Sequence, residues 1–330
     1  TNTPPTGFNA LNTDNLPLSN GDLSAFVWIK NRDATDNHML FDAVRGATKD
    51  IHSNTTDVEV TNANTLTRFL KNGFEVSNDV QVNTSGESYV AWQWMNDSLT
   101  ASSNTDGSIT SSVLANTTSG FSIAKWTHTT ASNYTVGHGL GAVPKMILVK
   151  TTDQGTNWGV YHSDLTVGNR LLLNSTSAQI AGYWGANSWT SSTFSIGSAR
   201  DANGSTMIGY SFAEVEGFSK FGSYKGNGST DGPFVYTGFT PRYVLFKRTN
   251  AAESWPILDT ARGSSFGLDA GAGGDNPTAT NDLNAVLVAS TTAAEEDNPS
   301  GSRRASFNSN GFKVRTTNTA MNGSGSTYIY

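Results

Sequence analysis

The sequence predicts an all-β fold, and three observations carry that prediction. Short apolar runs rich in aromatic and branched residues, Phe26-Val-Trp-Ile-Lys30, Met146-Ile-Leu-Val-Lys150 and Tyr243-Val-Leu-Phe-Lys247, stand between turn formers as buried strands do. The chain carries 33 glycines in 330 residues, enough for many tight turns. No stretch keeps apolar residues at helical spacing beyond a turn or two, and the nearest helix candidate, residues 61–73, is short.

The elements follow from internal self-similarity. Sliding the sequence by 217 positions lays Phe26–Lys30 on Tyr243–Lys247, Leu40 on Ile257, Asp42 on Asp259, Arg45 on Arg262 and Gly46 on Gly263 without a gap. Sliding by 97 lays Gly120-Phe-Ser122 on Gly217-Phe-Ser219, and also Pro144 on Pro241, Lys150 on Lys247 and Trp158 on Trp255. After each opening strand comes a second apolar tract: Gly73-Phe-Glu-Val76, Phe194-Ser-Ile196 or Gly311-Phe-Lys-Val314. The first and last of these alternate as half-exposed strands do. Each copy then closes on a β-like run: "YVAWQW" at 89–94, "MIGYSF" at 207–212 and "TYIY" at 327–330.

Three tandem β-sandwich-like repeats with long turn-rich loops are therefore expected. Residues 1–20 read as a Pro-rich linker, 21–101 as a shortened first repeat, 102–117 as a linker and 118–214 as the second repeat. Residues 215–330 form the third, with a surface-loop insertion at 264–300, where extra length costs little. Residues 1–20 have neither the basic start nor the apolar core of a signal peptide, and no initiator Met, so they are expected to lead in from an upstream domain.

Composition removes several classes of function. Charged residues make up 15% of the chain and the net charge is −6, with no basic tract, so a nucleic-acid partner is not expected. There is no cysteine, hence no disulfide and no thiolate metal site. The five histidines have no metal-ligand spacing, and no run approaches the ~20 apolar residues of a membrane helix. No cofactor, metal or membrane insertion is expected.

The charged pairs Asp42/Arg45 and Asp259/Arg262 are the strongest candidates for chemistry. An Asp that starts a turn, with an Arg three residues on and then a Gly, is also ordinary turn chemistry. The second copy has His162 and Leu165 at these places, so both partners are replaced together. We read all four residues as structural ion pairs, worth about 0–1 kcal/mol each if exposed. Gly137–Gly141, "GHGLG", reads as a tight turn, since a strand rather than a helix follows it. Asp269–Asp275 lacks the carboxylate ladder of a calcium loop. Glu214 and Glu216 would neighbour each other on one strand face, not oppose each other across a cleft. No nucleophile elbow is legible. The aromatic excess is mostly core; Trp184 reads as core, while Trp189, in a turn-rich setting, is a speculative surface or glycan contact.

Nearly the whole chain resembles a repeat domain of unknown function found in large structural proteins of tailed bacteriophages, especially marine and aquatic ones. The resemblance rests on "TPPTGFNALNTDNLP", "FVWIKNR" with "LFDAVRG", "TVGHGLGAVPKMILVK" and, most specifically, residues 211–248. It implies a non-enzymatic virion structural protein on the outside of the particle: a tail fibre, spike or similar appendage contacting the host surface. A capsid decoration protein is the alternative, and a polysaccharide depolymerase a more distant one. The resemblance brings no catalytic residue. In such proteins the repeats often follow a concanavalin-like or SPRY-type sandwich, whose exit linker "TPPTGF" resembles. The expected partners are further copies of the chain (a trimer before other orders), other virion proteins and host surface glycan.

Overall fold

The structure is a computed structural model that describes residues 23–129, 133–185, 189–197, 203–262, 282–297 and 302–330. Its regular secondary structure is almost entirely antiparallel strand.

In the first segment the strands are β1 (Leu23–Asn31), β2 (Met39–Asp42), β3 (Lys49–His52), β4 (Val60–Thr61), β5 (Leu66–Leu70), β6 (Gly73–Val76) and β7 (Tyr89–Asn96). The second carries β8 (Ser102–Asn104), β9 (Ser111–Asn116), β10 (Phe121–Thr127), β11 (Tyr134–Gly137) and β12 (Met146–Thr151). It continues through β13 (Gly159–His162), β14 (Asn169–Leu172), β15 (Ile180–Ala181), β16 (Thr193–Ile196) and β17 (Thr206–Phe212). The third opens with β18 (Ser223–Lys225), β19 (Phe234–Tyr236), β20 (Tyr243–Leu245), β21 (Lys247–Arg248) and β22 (Pro256–Asp259). After it come β23 (Asp282–Leu283), β24 (Ala285–Val288), β25 (Glu296–Asp297), β26 (Ala305–Asn308), β27 (Gly311–Val314) and β28 (Thr327–Ile329).

The first two segments place their opening strand inside an inner sheet, with a neighbour on either side. The orders are β4-β3-β2-β1-β7 in the first and β15-β14-β13-β12-β17-β10-β9-β8 in the second. In the third the corresponding sheet is split at Phe246 into β25-β24-β22-β20 and β21-β28-β18. A smaller outer sheet covers each: β5-β6, β11-β16 and β19-β27-β26-β23. The segments' own cores lie between the two layers, for example Val27, Ile29, Met39 and Phe41 against Phe74 and Val76.

The inner sheets are apolar on both faces, and a two-layer sandwich covers only one. Their second faces meet in one core shared by all three segments, containing Phe26, Trp28, Met146, Leu148, Trp255 and Ile257. The units are therefore not beads on a string. A set of recurrent bonds joins them in a ring. Trp158 Nε1 donates to the His52 carbonyl (2.8 Å), Trp255 Nε1 to the Leu172 carbonyl (2.9 Å), and His38 Nε2 lies 3.1 Å from the Val288 carbonyl. Lys150 and Lys247, each fully buried near the end of its opening run, give Nζ to the carbonyls of Thr56 (3.2 Å) and Thr176 (2.9 Å) in the preceding segment. Lys30, equally buried, caps the carbonyls of Asn31 and Ala34.

Four expectations change. The span 102–117 is not a linker: β8 and β9 extend the second sheet through β10. Within 264–300, residues 282–297 hold β23, β24 and β25, and Ala285–Val288 is wholly buried, so the surface-loop reading fails there. Residues 263–281 and 298–301, and the candidate calcium loop with them, lie outside the described residues. The helix candidate at 61–73 is instead β5 and the turn into β6, whose register pairs Phe69 with Phe74. Among the described residues the helices are single turns, α1 (Val80–Asn83) and α2 (Thr319–Asn322), capped by the side chains of Asp79 and Asn318. Finally, β17 ends at Phe212, so Glu214 and Glu216 sit in a turn, where Glu214 pairs with Lys220.

Candidate functional site

The two Asp–Arg pairs are buried, not exposed. Asp42 is 0% and Arg45 5% accessible, Asp259 0% and Arg262 6%. In each, the strand ends on the aspartate and its Oδ1 accepts two turn amides: Val44 and Arg45 N–H (3.0 and 2.8 Å), or Ala261 and Arg262 N–H (3.0 and 3.1 Å). Oδ2 takes the arginine Nε, and then a donor from another segment. That donor is Tyr210 Oη on Asp42 (2.7 Å) and Trp92 Nε1 on Asp259 (3.2 Å). The guanidinium ends are used as well, on the Leu40 and Ile257 carbonyls and on Glu59 and Glu295. Burial opposes the charge on Arg45, but Asp42, Tyr210 and Glu59 together outweigh it and hold its pKa above the ordinary value.

The second segment solves the same problem with a neutral ring. His162 Nδ1 accepts the Asp164 amide (3.1 Å), as the aspartates accept theirs, and Nε2 reaches the Tyr330 carbonyl (3.1 Å). A proton on Nε2 satisfies both contacts, and burial lowers the pKa, keeping the ring neutral. Leu165, in place of the arginine, joins the shared core. The histidine thus keeps the turn-capping and cross-segment roles without any ion pair, which inspection of charged residues alone would miss.

Below these turns the shared core opens into a cavity of about 410 Å³. Its walls come from all three segments, among them Phe26, Trp94, Phe121, Phe212, Tyr243 and Tyr330. The rings are close: Trp94 lies 5.0 Å from Phe26 and 6.3 Å from Tyr243, and Phe121 5.0 Å from Phe212. The polar lining includes His162, Gln93, Thr237, Thr260, Lys220 and Arg242, with no carboxylate side chain among the described residues. Gln93 Oε1 accepts from Ser24 Oγ (2.6 Å), while its buried Nε2 has no hydrogen-bond partner among the described residues. Such a lining can hold apolar groups and offer a few donors.

Trp189 lies away from this cavity. It is half-buried and stacks on Tyr161 with ring centroids 4.0 Å apart, beside Trp184 at 5.4 Å. One face of its ring is thus covered by Tyr161, and Trp184 is core at 6% exposure. Gly139 and Gly141 both adopt positive φ (68° and 69°), which makes "GHGLG" a turn leading into β12.

Among the described residues no group of three or more His, Asp or Glu side chains is placed to hold a metal ion, and no helix is long and apolar enough to cross a membrane. No curated protein and no solved structure matches the chain. One family model does, over residues 13–330. That span contains every described strand, both Asp–Arg turns and the cavity, and the chain belongs to the family it describes, Domain of unknown function (DUF7483).

Proposed function

We propose that this is a non-enzymatic structural protein of a tailed-phage virion, three copies of one β unit closed around a common core, exposed on the particle and contacting the host surface. The observation that carries the reading is how the chemistry-bearing side chains are employed. Both Asp–Arg pairs, the buried lysines, His38, His162 and the indoles of Trp92, Trp158 and Trp255 spend their polar atoms on backbone or on another segment. A chain without disulfides gains rigidity from such cross-bracing. The resemblance to phage virion proteins points the same way.

Self-association is part of the proposal, with a trimer favoured. β19 is the edge of its sheet, and it carries Phe234 and Tyr236 at 47% and 65% exposure. An edge strand with two bare aromatic rings invites a second copy. Mass spectrometry of purified virions tests the assignment: a chain absent from the particle ends it. Light scattering tests the assembly, with Tyr236→Lys expected to lower the oligomer fraction without lowering the melting temperature.

A further inference from the structure

One buried guanidinium lacks a carboxylate. Arg170 of β14 is 2% exposed, and none of the ion pairs among the described residues includes it. Its buried Nε has no hydrogen-bond partner among those residues either. Arg45 and Arg262, buried to a similar degree, each hold two carboxylates: Asp42 with Glu59, and Asp259 with Glu295.

The fold does not need a charge at this place. Val160 and Leu171 pair across β13 and β14 and enter the shared core, so Arg170 alternates to the opposite face, toward the outer layer. The same register pairs Leu40 with Ile51 in the first segment and Ile257 with Leu287 in the third. Asp50 and Val286 therefore occupy the place of Arg170. Asp50 lies 3.3 Å from His52 Nε2, and Val286 is wholly buried in an apolar cluster. A valine closes the position with no polar partner, whereas a guanidinium is costly to take from water unless an anion offsets it.

The surroundings hold the guanidinium in a fixed pose. The Tyr183 ring covers one of its faces, with the centroid 4.9 Å from Cζ. That ring lies across Gly159, where a Cβ would come within 2.9 Å of it, and Tyr183 holds φ at 103°, a strained value for a non-glycine residue. Trp184 stands edge-on to the same ring, 4.9 Å between centroids, and its buried Nε1 also has no hydrogen-bond partner among the described residues. Tyr161 packs on Trp184 at 5.8 Å and on Trp189 at 4.0 Å. Two unused N–H donors thus flank one aromatic ring, and none of these side chains carries a negative charge. A ring on its face leaves the N–H groups of a guanidinium directed outward in its plane, the direction from which a carboxylate docks.

We propose that Arg170 anchors a binding site for a small monocarboxylate, held in the plane of the guanidinium beside Tyr183. One negative charge balances the one cation of the cluster; sulfate or phosphate would bring a second charge with nothing there to offset it. Arg170 is too enclosed to meet a macromolecular surface, while Tyr183 and Trp189 are only half-buried, so a small ligand enters past them. The site is independent of self-association and of any place on a particle.

The test titrates the 330-residue chain with sodium acetate, with sodium chloride added to keep the ionic strength constant. Tryptophan fluorescence should change saturably, since Trp184 and Trp189 belong to the cluster, and the melting temperature should rise with acetate concentration. Sodium sulfate should bind at least about tenfold more weakly. Arg170→Val, which copies Val286, should melt no lower than the parent in chloride alone and should bind acetate at least about tenfold more weakly. Arg170→Lys keeps the charge without the planar fork and should also bind more weakly. No response of the parent chain, an equal response in Arg170→Val, or sulfate binding as tight as acetate would each overturn the site. So would an Arg170→Val chain that unfolds or melts well below the parent, because the charge would then belong to the fold.

Discussion

His38 Nδ1 accepts from Trp28 Nε1 at 2.9 Å while its Nε2 donates to the Val288 carbonyl at 3.1 Å, so one neutral imidazole joins the first segment to the third. The other two junctions use Trp158 and Trp255 at the equivalent place, and only this one can titrate.

Acid should therefore loosen the molecule early. Burial, helped by the charge of Lys30, holds the pKa of His38 well below the usual value, and burial lowers that of His138 from 6.5 to about 4 against the opposing effects of the Thr190 carbonyl and Asp106. His162 is lowered as well. The folded chain refuses protons that the unfolded chain accepts, so this stability is present above about 6.5 and is lost as pH falls toward 4. The urea midpoint should drop between pH 7 and pH 5, and less steeply in His38→Gln. An unchanged midpoint across that range would contradict the neutral-histidine assignment.

On the alkaline side two effects oppose. Burial lowers Lys30 and Lys247 from 10.5 to about 8, only partly offset by Asp36 and Glu253. The folded chain sheds these protons first, so stability rises between about 8 and about 10.5. Burial raises Tyr210, Tyr224 and Tyr243, whose protons the folded chain retains after the unfolded chain has lost them near 10. That stability disappears above 10. Denaturation at pH 7, 9 and 11 should show a maximum at the middle value, and Lys247→Met should flatten the rise from 7 to 9.

The buried pairs make a sharp mutational contrast. Asp259→Ala takes the acceptor from Arg262 Nε and from the Trp92 indole N–H, leaving Glu295 as the arginine's remaining carboxylate, a loss of about 1–3 kcal/mol of unfolding free energy. Arg68→Ala, which removes the surface pair with Glu75, should leave the urea midpoint where it is. Asp259→His combined with Arg262→Leu transplants the arrangement of His162 and Leu165 and should recover at least half of the single-variant loss. A double variant no better than Asp259→Ala would show that His162 is not an equivalent of the aspartates.

Residues 118–214 expressed alone should not fold. Ile123, Leu148 and Tyr210 on that segment's inner sheet pack in the shared core, and excision bares them together. Circular dichroism and amide dispersion should show an unfolded or aggregated chain; a cooperatively melting monomer would restore the picture of independent beads.

Much of this architecture was legible in the sequence, for identifiable reasons. The runs ending in Lys30, Lys150 and Lys247 are strands because apolar side chains on both faces leave no solvated side for anything else. The same two-faced pattern hid the arrangement of the units, since it does not say whether the second face meets an outer layer or a neighbouring copy. Residues 102–117 and 282–297 were misread because Ser, Thr and Asn fill edge strands as readily as linkers, and "NAVLV" is short and flanked by loop-like sequence. Of the site residues, the turn role of Asp42/Arg45 and Asp259/Arg262 was readable from spacing. Their burial was not, because it depends on Tyr210 and Trp92, which are 168 and 167 residues away in the chain.

Those separations also set a timetable. Trp28 and Trp92 are made early, but their contacts at Val288, through His38, and at Asp259 are made late. At a synthesis rate of about 5–20 residues per second, the first inner sheet waits on the order of ten seconds or more for its last neighbours. During that interval it shows solvent an aromatic face destined for the centre of the molecule. Slow arrival of the third segment, by stalled translation or a late break in the message, would therefore leave a sticky nascent chain rather than a smaller working protein.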